Sequence, residues 1–504
     1  MQYSIGSADL YLTSNPQVTF FKQPIKRHTR FSVDHTTVPI QGVSDFGQRP
    51  SITISKAGDL LLNIWLEITL PNLADYQFSS TTGKPPEGVR WCDKVGLALI
   101  KSAELEIGGQ RIERIVPEFL DCWTELTQSE ERLRMLNDMW SITPSSTNNR
   151  ITVPLMFYFH DQPSQAIPLC AIMYHDIRVN LELERAENLL RSIGDPITTA
   201  FKNGDMTKPL SISEFECHVT YIMLDPDERR RFTDTAQEYL ITTTQYNGAD
   251  PYISGNSVRR FDLTFSNPVK ELIWIYSEDT ALAPNSVTGN RLFDYHSYGG
   301  NGGPMITGGN TTAWTVSVMS GDFDTATGAS VVLPNPANAS DAIVDILVKD
   351  GNGIDVEVDS KTISIGSICV RIPPVQGVQL PLHVRAIVTA SPMDGIGGLP
   401  PLSTAKLVLL GTDRFKERSG VYFNKVQPFE HHKRVPSRPI YCYSFGMWPE
   451  ELYPSGTANF SRIDSAALVL TFPASTASGR VKIFARAFNV LRIDKGIASL
   501  VYTS

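Results

Sequence analysis

The chain has 504 residues, 41% of them hydrophobic and 19% charged, with a formal net charge of −8 and a pI near 5.7. That length supports two or three domains, because single cores stop growing at roughly 250–300 residues. The composition excludes a disordered chain, and the acidic balance argues against a dedicated nucleic-acid coat, whose binding draws on a basic excess.

In chain order, "MQYSIGSADLYLTSNPQ" has no basic stretch leading into an apolar core, so no secretory signal is expected. No run reaches the roughly 18 apolar residues of a transmembrane helix. The next stretch, "NPQVTFFKQPIKRHTRFSVD", sets Phe20 and Phe21 beside Lys22, Lys26, Arg27 and Arg30. Pro24 interrupts it. From Arg27 the residues alternate, with Phe31 and Val33 expected inward and Arg30, Ser32 and Asp34 outward, so the first strand is placed there.

Strict two-residue alternation then dominates. In "DLLLNIWLEITL" the expected inward set is Leu60, Leu62, Ile64, Leu66, Ile68 and Leu70. "RVNLELE" repeats this with Val179, Leu181 and Leu183, and "FDLTFS" with Phe261, Leu263 and Phe265. "VKIFARAFNV" alternates too, but Phe484 and Phe488 make both of its faces partly apolar. Turns such as "TTGKPPEG" and "PSGTAN" punctuate these runs, and 35 Gly and 33 Pro suit many short strands. The fold class is all-β.

Helices are few. "TELTQSEERLRMLNDMW" is the best candidate, with Thr127 and Glu130 as a capping box and Leu133, Leu136 and Trp140 on one face. "LDPDERRRF" predicts a short polar helix with Asp225 as N-cap and Pro226 at its first position. It suits a junction between domains, its three arginines reading as a solvated face rather than a phosphate patch.

The halves resemble each other. "ELEIGGQRIER" parallels "LVLLGTDRFKER", matching Arg111 with Arg414. "IPLCAIMYHDIRVNLELE" parallels "YPSGTANFSRIDSAALVLTF", matching Leu181 with Leu468, and "NIWLEI" parallels "LIWIYS", matching Trp65 with Trp274. The longer second segment implies an insertion at about 280–400, where "SYGGNGGPMITGGN" and "PNPANASD" read as loop.

No constellation predicts catalysis or a metal. The six cysteines lie far apart without a C-x-x-C pair, which fits reduced thiols, and the sequons at Asn310, Asn338 and Asn459 read as chance. His431 and His432, read as neighbours near a strand end, would point to opposite faces and cannot share one ion. Glu104 and Glu106 share a strand face about 7 Å apart, but as a solvated face rather than a glycosidase pair. "NGGPMITGG" lacks the Lys and Ser/Thr of a P-loop. Catalytic, cofactor-binding and metal sites are therefore all expected to be absent, as is specific nucleic-acid binding.

The same segments resemble one family. "NPQVTFFKQPIKRHTRFSVD", "LDPDERRRFTDTAQEYLI", "SNPVKELIWIY" and "DRFKERSGVYFNKVQPFEHHKRVPSRPIYCYSFGMWPEELYPSGTANFSRID" are similar to blocks of the major capsid proteins of nucleocytoplasmic large DNA viruses, in order along the chain. Pro24 departs from that pattern, and nothing in 280–400 aligns. The resemblance implies a double jelly roll, two consecutive eight-stranded barrels with a few short helices. The expected division is an N-terminal arm at 1–26, a first barrel at 27–224, a helical junction at 225–238 and a second barrel at 239–504 with the inserted loops. It further implies a homotrimeric, pseudo-hexagonal capsomer tiling an icosahedral shell, in a virion assembled in the host cytoplasm. Expected partners are neighbouring capsomers, minor capsid proteins and an internal membrane. The arm would lie on the inner face, with Phe20 and Phe21 as anchors and Lys22, Lys26, Arg27 and Arg30 meeting lipid headgroups or acidic proteins. A carbohydrate-binding jelly-roll protein and a glycan-active enzyme are the alternatives.

Overall fold

The computed structural model describes residues 6–22, 26–80, 87–142, 149–160, 162–193, 197–283, 290–297 and 400–502, together with backbone strands between 314 and 389. Pro24, Asn310, Asn338 and the "TTGKPP" and "NGGPMITGG" segments lie outside the described residues.

Eight principal strands form the first half: β1 (Phe31–Val38), β2 (Ser51–Thr53), β3 (Leu60–Thr69), β4 (Ile100–Ile107), β5 (Gln110–Ile115), β6 (Arg150–Pro154), β7 (Ile177–Leu183) and β8 (Glu214–Leu224). They make two antiparallel sheets, ordered β1-β8-β3-β6 and β2-β7-β4-β5, whose apolar faces share one core. The second half has β9 (Gln237–Tyr252), β10 (Val258–Asp262), β11 (Pro268–Glu278), β12 (Thr404–Leu409), β13 (Thr412–Asp413), β14 (Tyr441–Ser444), β15 (Ala466–Thr471) and β16 (Gly479–Asp494). Its sheets are ordered β9-β16-β11-β14 and β10-β15-β12-β13. Every strand therefore has the neighbours of the strand eight places before it. Neighbours distant in sequence are the mark of Greek-key connections.

This repeat places the paired residues as expected. Trp65 lies on β3 and Trp274 on β11, Leu181 on β7 and Leu468 on β15, while Arg111 lies on β5 and Arg414 directly follows β13. The hairpins repeat as well. Gly108 and Gly109 close β4–β5 with φ of 59° and 84°, and Leu410 and Gly411 close β12–β13 with 52° and 77°. A two-residue hairpin of this hand needs positive φ at both positions. The architecture differs from the expected barrels in one respect: the sheets are open and packed face to face, not closed.

Three details of the sequence reading are corrected. In β3 the buried set is Leu60, Leu61, Ile64, Leu66 and Ile68, with Leu70 buried just beyond it and Leu62 half-buried. The pairing with β8 shifts between Thr220 and Tyr221, and this bulge at Leu62 turns Leu61 inward. Strand β1 begins at Phe31 rather than Arg27, and Phe31 and Val33 are 52% and 50% exposed rather than inward. It is an edge strand paired to β8, and it meets the core only at Val38. The insertion between β11 and β12 is not loop alone. Its strands, from Trp314–Val318 to Leu382–Thr389, form a four-stranded and a three-stranded sheet. Their Gly- and Asn-rich connections hide runs such as "IVDILVK".

Five helices bear on the site: α1 (Ser7–Thr13), α2 (Pro117–Thr127), α3 (Glu130–Trp140), α4 (Pro226–Asp234) and α5 (Gln427–His431). The expected helix at 124–140 is broken, because Ser129, not Thr127, caps α3 by accepting from the Arg132 N–H. Leu133, Leu136 and Trp140 are buried on one face, as the spacing required. Helix α4 starts at Pro226 after Asp225, and its Arg229 is tied at 2.7 Å to the buried Asp59. Helices α2 and α3 connect β5 to β6, and α5 lies at the equivalent place between β13 and β14.

The halves pack against each other along β16. Val481, Ile483, Ala485 and Ala487 face the second core, whereas Phe484 joins the first. It packs on Phe119 of α2 and Tyr246 of β9 at centroid distances of 5.7 and 5.1 Å. That is why "VKIFARAFNV" is apolar on both faces. The terminal strand Ile497–Leu500 folds back on β16 and bonds to the first half, through Tyr174 N to Gly496 O and Leu500 N to Gln110 Oε1, each 3.1 Å.

Candidate assembly arm and the polar interface between the halves

The arm residues singled out in the sequence all lie at the surface. Phe20 and Phe21 are 94% and 99% exposed, and Lys22, Lys26, Arg27 and Arg30 are exposed as well. Preceding them, α1 is held by Asp9, which accepts from Gly6 N at 2.9 Å, and it presents Leu10, Tyr11 and Leu12 to solvent. Exposed aromatic and aliphatic side chains on a short helix leave apolar area without a covering layer in the single chain. Among the described residues, the four basic side chains are not brought into one cluster with buried partners.

Sequence reasoning missed a buried polar region, which lies where α2 meets α5 and the segment after it. Asp121, fully buried, accepts from Arg438 with both oxygens at 2.8 and 2.9 Å, from Tyr295 Oη at 2.7 Å and from Lys94 Nζ at 2.5 Å. Burial pushes its carboxyl up, but the Arg438 and Lys94 charges outweigh that and hold it well below the usual range. One turn on, Glu125 accepts from Ser437 Oγ at 2.7 Å and Ser437 N at 3.1 Å, and stands 3.5 Å from Arg438.

The histidine pair belongs to this interface and not to a strand. His431 ends α5, its Nδ1 3.1 Å from Met447 O, while His432 is fully buried beyond the helix end. The His432 ring contacts Glu271 of β11 at 3.0 Å through Nε2 and Glu450 at 3.2 Å through Nδ1. The two rings take different partners, and they do so at a helix end rather than on a strand as the sequence suggested. Burial disfavours the His432 charge, yet the Glu271 carboxylate raises its pKa well above the usual value. Glu271 is in turn held down to about 2, because His432 and Arg486 overcome its burial. Arg486 of β16 bonds to Glu271 at 2.9 Å and lies 3.6 Å above the Trp123 ring of α2.

A cavity of about 300 Å³ opens beside this cluster, lined from both halves by Glu113, Trp123, Tyr158, Lys270, Glu450 and Arg486 among others. Burial pushes the Glu113 carboxyl up to about 7, partly offset by the Tyr158 N–H, and brings Lys270 down to about 7. These groups are structural in placement. Glu104 is ion-paired with Arg111 and Arg114 at 3.6 and 3.4 Å, and Glu106 accepts from Asn180 Nδ2 at 2.9 Å, so each carboxylate is engaged by its neighbours on the outer face. One sequence signal was available: Glu118, Asp121 and Glu125 form an acidic stripe on α2, and "HHKRVPSRP" supplies the matching basic run.

Residues 19–225 match the family model described as the major capsid protein N-terminus, and residues 228–499 the one described as the large eukaryotic DNA virus major capsid protein. The chain belongs to that family. A major capsid protein of Phaeocystis pouchetii virus is 32% identical, over 99% of this chain and 98% of that one. Among solved structures, the PBCV-1 virus capsid chain superposes with a TM-score of 0.63 at 24% identity, covering 96% and 100% of the two chains. The Faustovirus major capsid protein does so with 0.63 at 13% identity, covering 97% and 95%. These likenesses establish the double jelly-roll fold. This capsid protein is a structural protein and not an enzyme, so neither alternative reading stands.

Proposed function

We propose that this major capsid protein builds its icosahedral shell from homotrimers. The observation that carries this is the strand-for-strand repeat of the two halves. Three such chains give six equivalent sheet pairs, a pseudo-hexagonal unit that packs side by side with copies of itself. The exposed group formed by Phe429, Met447, Trp448 and Tyr453 near α5 is suited to contacts between subunits.

Along the chain, the division is an arm at 1–26, a first jelly roll at 27–224, a helical junction at 225–238 and a second jelly roll at 239–504 whose insertion about 280–400 decorates the outer face. The arm faces inward. Its Phe20 and Phe21 anchor to a subunit base or neighbour, and Lys22, Lys26, Arg27 and Arg30 meet anionic headgroups or acidic minor proteins. Assembly takes place in the host cytoplasm.

Light scattering and electron microscopy of the purified protein test this. A stable trimer that forms hexagonal sheets or shells is expected. A monomer that never assembles overturns the reading. For the arm, reversing the charges of Lys22, Lys26, Arg27 and Arg30 together should leave trimers intact but reduce vesicle or virion association. Unchanged virions would remove that role.

A further inference from the structure

The outer face of the β1-β8-β3-β6 sheet carries a group of side chains that neither the fold nor assembly accounts for. Glu216 and His218 sit two residues apart on β8, so they share a face, and Glu216 is directly opposite Glu67 on β3. Like charges opposite each other across strands are destabilising unless something positive lies between them. His218 Nε2 lies 3.0 Å from Glu67 Oε2 and 3.4 Å from Glu216 Oε2, and one donor atom from each residue fits within a 4.8 Å span.

We propose that Glu67, Glu216 and His218 form a binding site for one zinc-type divalent ion. Ligands at about 2.0–2.2 Å around a tetrahedral centre stand roughly 3.4 Å from one another; the His218–Glu216 separation is at that value and the His218–Glu67 one is somewhat shorter. A neutral imidazole with two carboxylates is a donor set that zinc takes, and the fourth position is left to water or a neighbouring chain.

The surroundings orient each ligand. On the third strand, Thr37 Oγ1 lies 3.2 Å from His218 Nδ1. An Nδ1–H donated to that hydroxyl fixes the tautomer in which Nε2 carries the free lone pair. Arg150 of β6 pairs with Glu67 Oε1, which leaves Oε2 directed at the site and offsets one carboxylate charge. The three side chains are between 24% and 49% exposed, so an ion reaches them from solvent, replacing the His218–Glu67 hydrogen bond.

The test is calorimetric titration of zinc chloride into the full chain after chelator dialysis. Parallel melting curves and cobalt(II) spectra accompany it. One ion per chain, a tetrahedral cobalt spectrum and a zinc-dependent rise in Tm are expected. His218→Ala and Glu216→Gln should abolish all three, each compared with its own metal-free melting curve, and Thr37→Val should weaken binding about tenfold. Identical zinc binding by wild type and both ligand variants would overturn the proposal, as would the absence of a one-to-one site. Because the readouts do not depend on capsid formation, they succeed or fail independently of the assembly reading.

Discussion

Arg438 holds both carboxylate oxygens of Asp121, at 2.8 and 2.9 Å, and so joins the segment after α5 to α2 across the two halves. Neither oxygen of Asp121 faces water, so the pair has exchanged hydration for a two-point charge-assisted contact. Removing one member strands the other. Arg438→Met should destabilise the chain by about 3–5 kcal/mol, read from denaturant midpoints. Replacing Asp121 as well, with Asn, should cost far less than the sum of the two single changes.

The His432–Glu271 contact makes stability depend on pH in a bounded window. Glu271 is depressed to about 2, so its contribution is present above its ordinary 4.5 and is lost as pH falls toward 2. His432 is raised, so its contribution is complete below its ordinary 6.5 and is lost as pH rises through the raised value. The stability difference between wild type and His432→Phe should therefore be largest between pH 4.5 and 6.5. Urea unfolding across a pH series measures it, and a flat difference would contradict the pairing.

Glu113 acts in the opposite sense. Its carboxyl is raised to about 7, chiefly by burial, so the folded state prefers the proton and loses stability as pH climbs from 4.5 to 7. Glu113→Gln should be close to neutral at pH 4.5 and stabilising by about 3 kcal/mol at pH 8. Calorimetric melting at the two pH values separates this from a general packing effect.

Leu410 occupies the left-handed region at φ 52°, where the equivalent hairpin of the first half uses Gly108. Its side chain is exposed, so little packing is lost on replacement. Leu410→Gly should raise stability by about 1 kcal/mol, and Leu410→Val should lower it, as measured by chemical denaturation.

Much of this was legible because strand patterns are local. The alternation at 60–70, 177–183 and 261–265 gave the inward residues, and Asp225–Pro226 gave the start of α4. The errors have physical causes. Leu62 was misplaced because a bulge depends on the partner strand, and Phe31 and Val33 because an edge strand can alternate without reaching a core. His432 was misread because its environment comes from Glu271 and Glu450, distant in sequence. The zinc-site residues were not singled out at all, since Glu67 meets Glu216 and His218 only through strand register.

By itself, then, the sequence determined what short-range periodicity and internal repetition can encode. That comprised an all-β chain, its duplication through Trp65 and Trp274 and a polar helix between the halves. Tertiary structure alone decided which charges lie inside. Asp121 with Arg438, His432 with Glu271 and the Glu67–Glu216–His218 face each join residues far apart in the chain, where only pairing and packing set the distances. An ion pair's strength follows from separation and burial, and neither is written in the local order of residues.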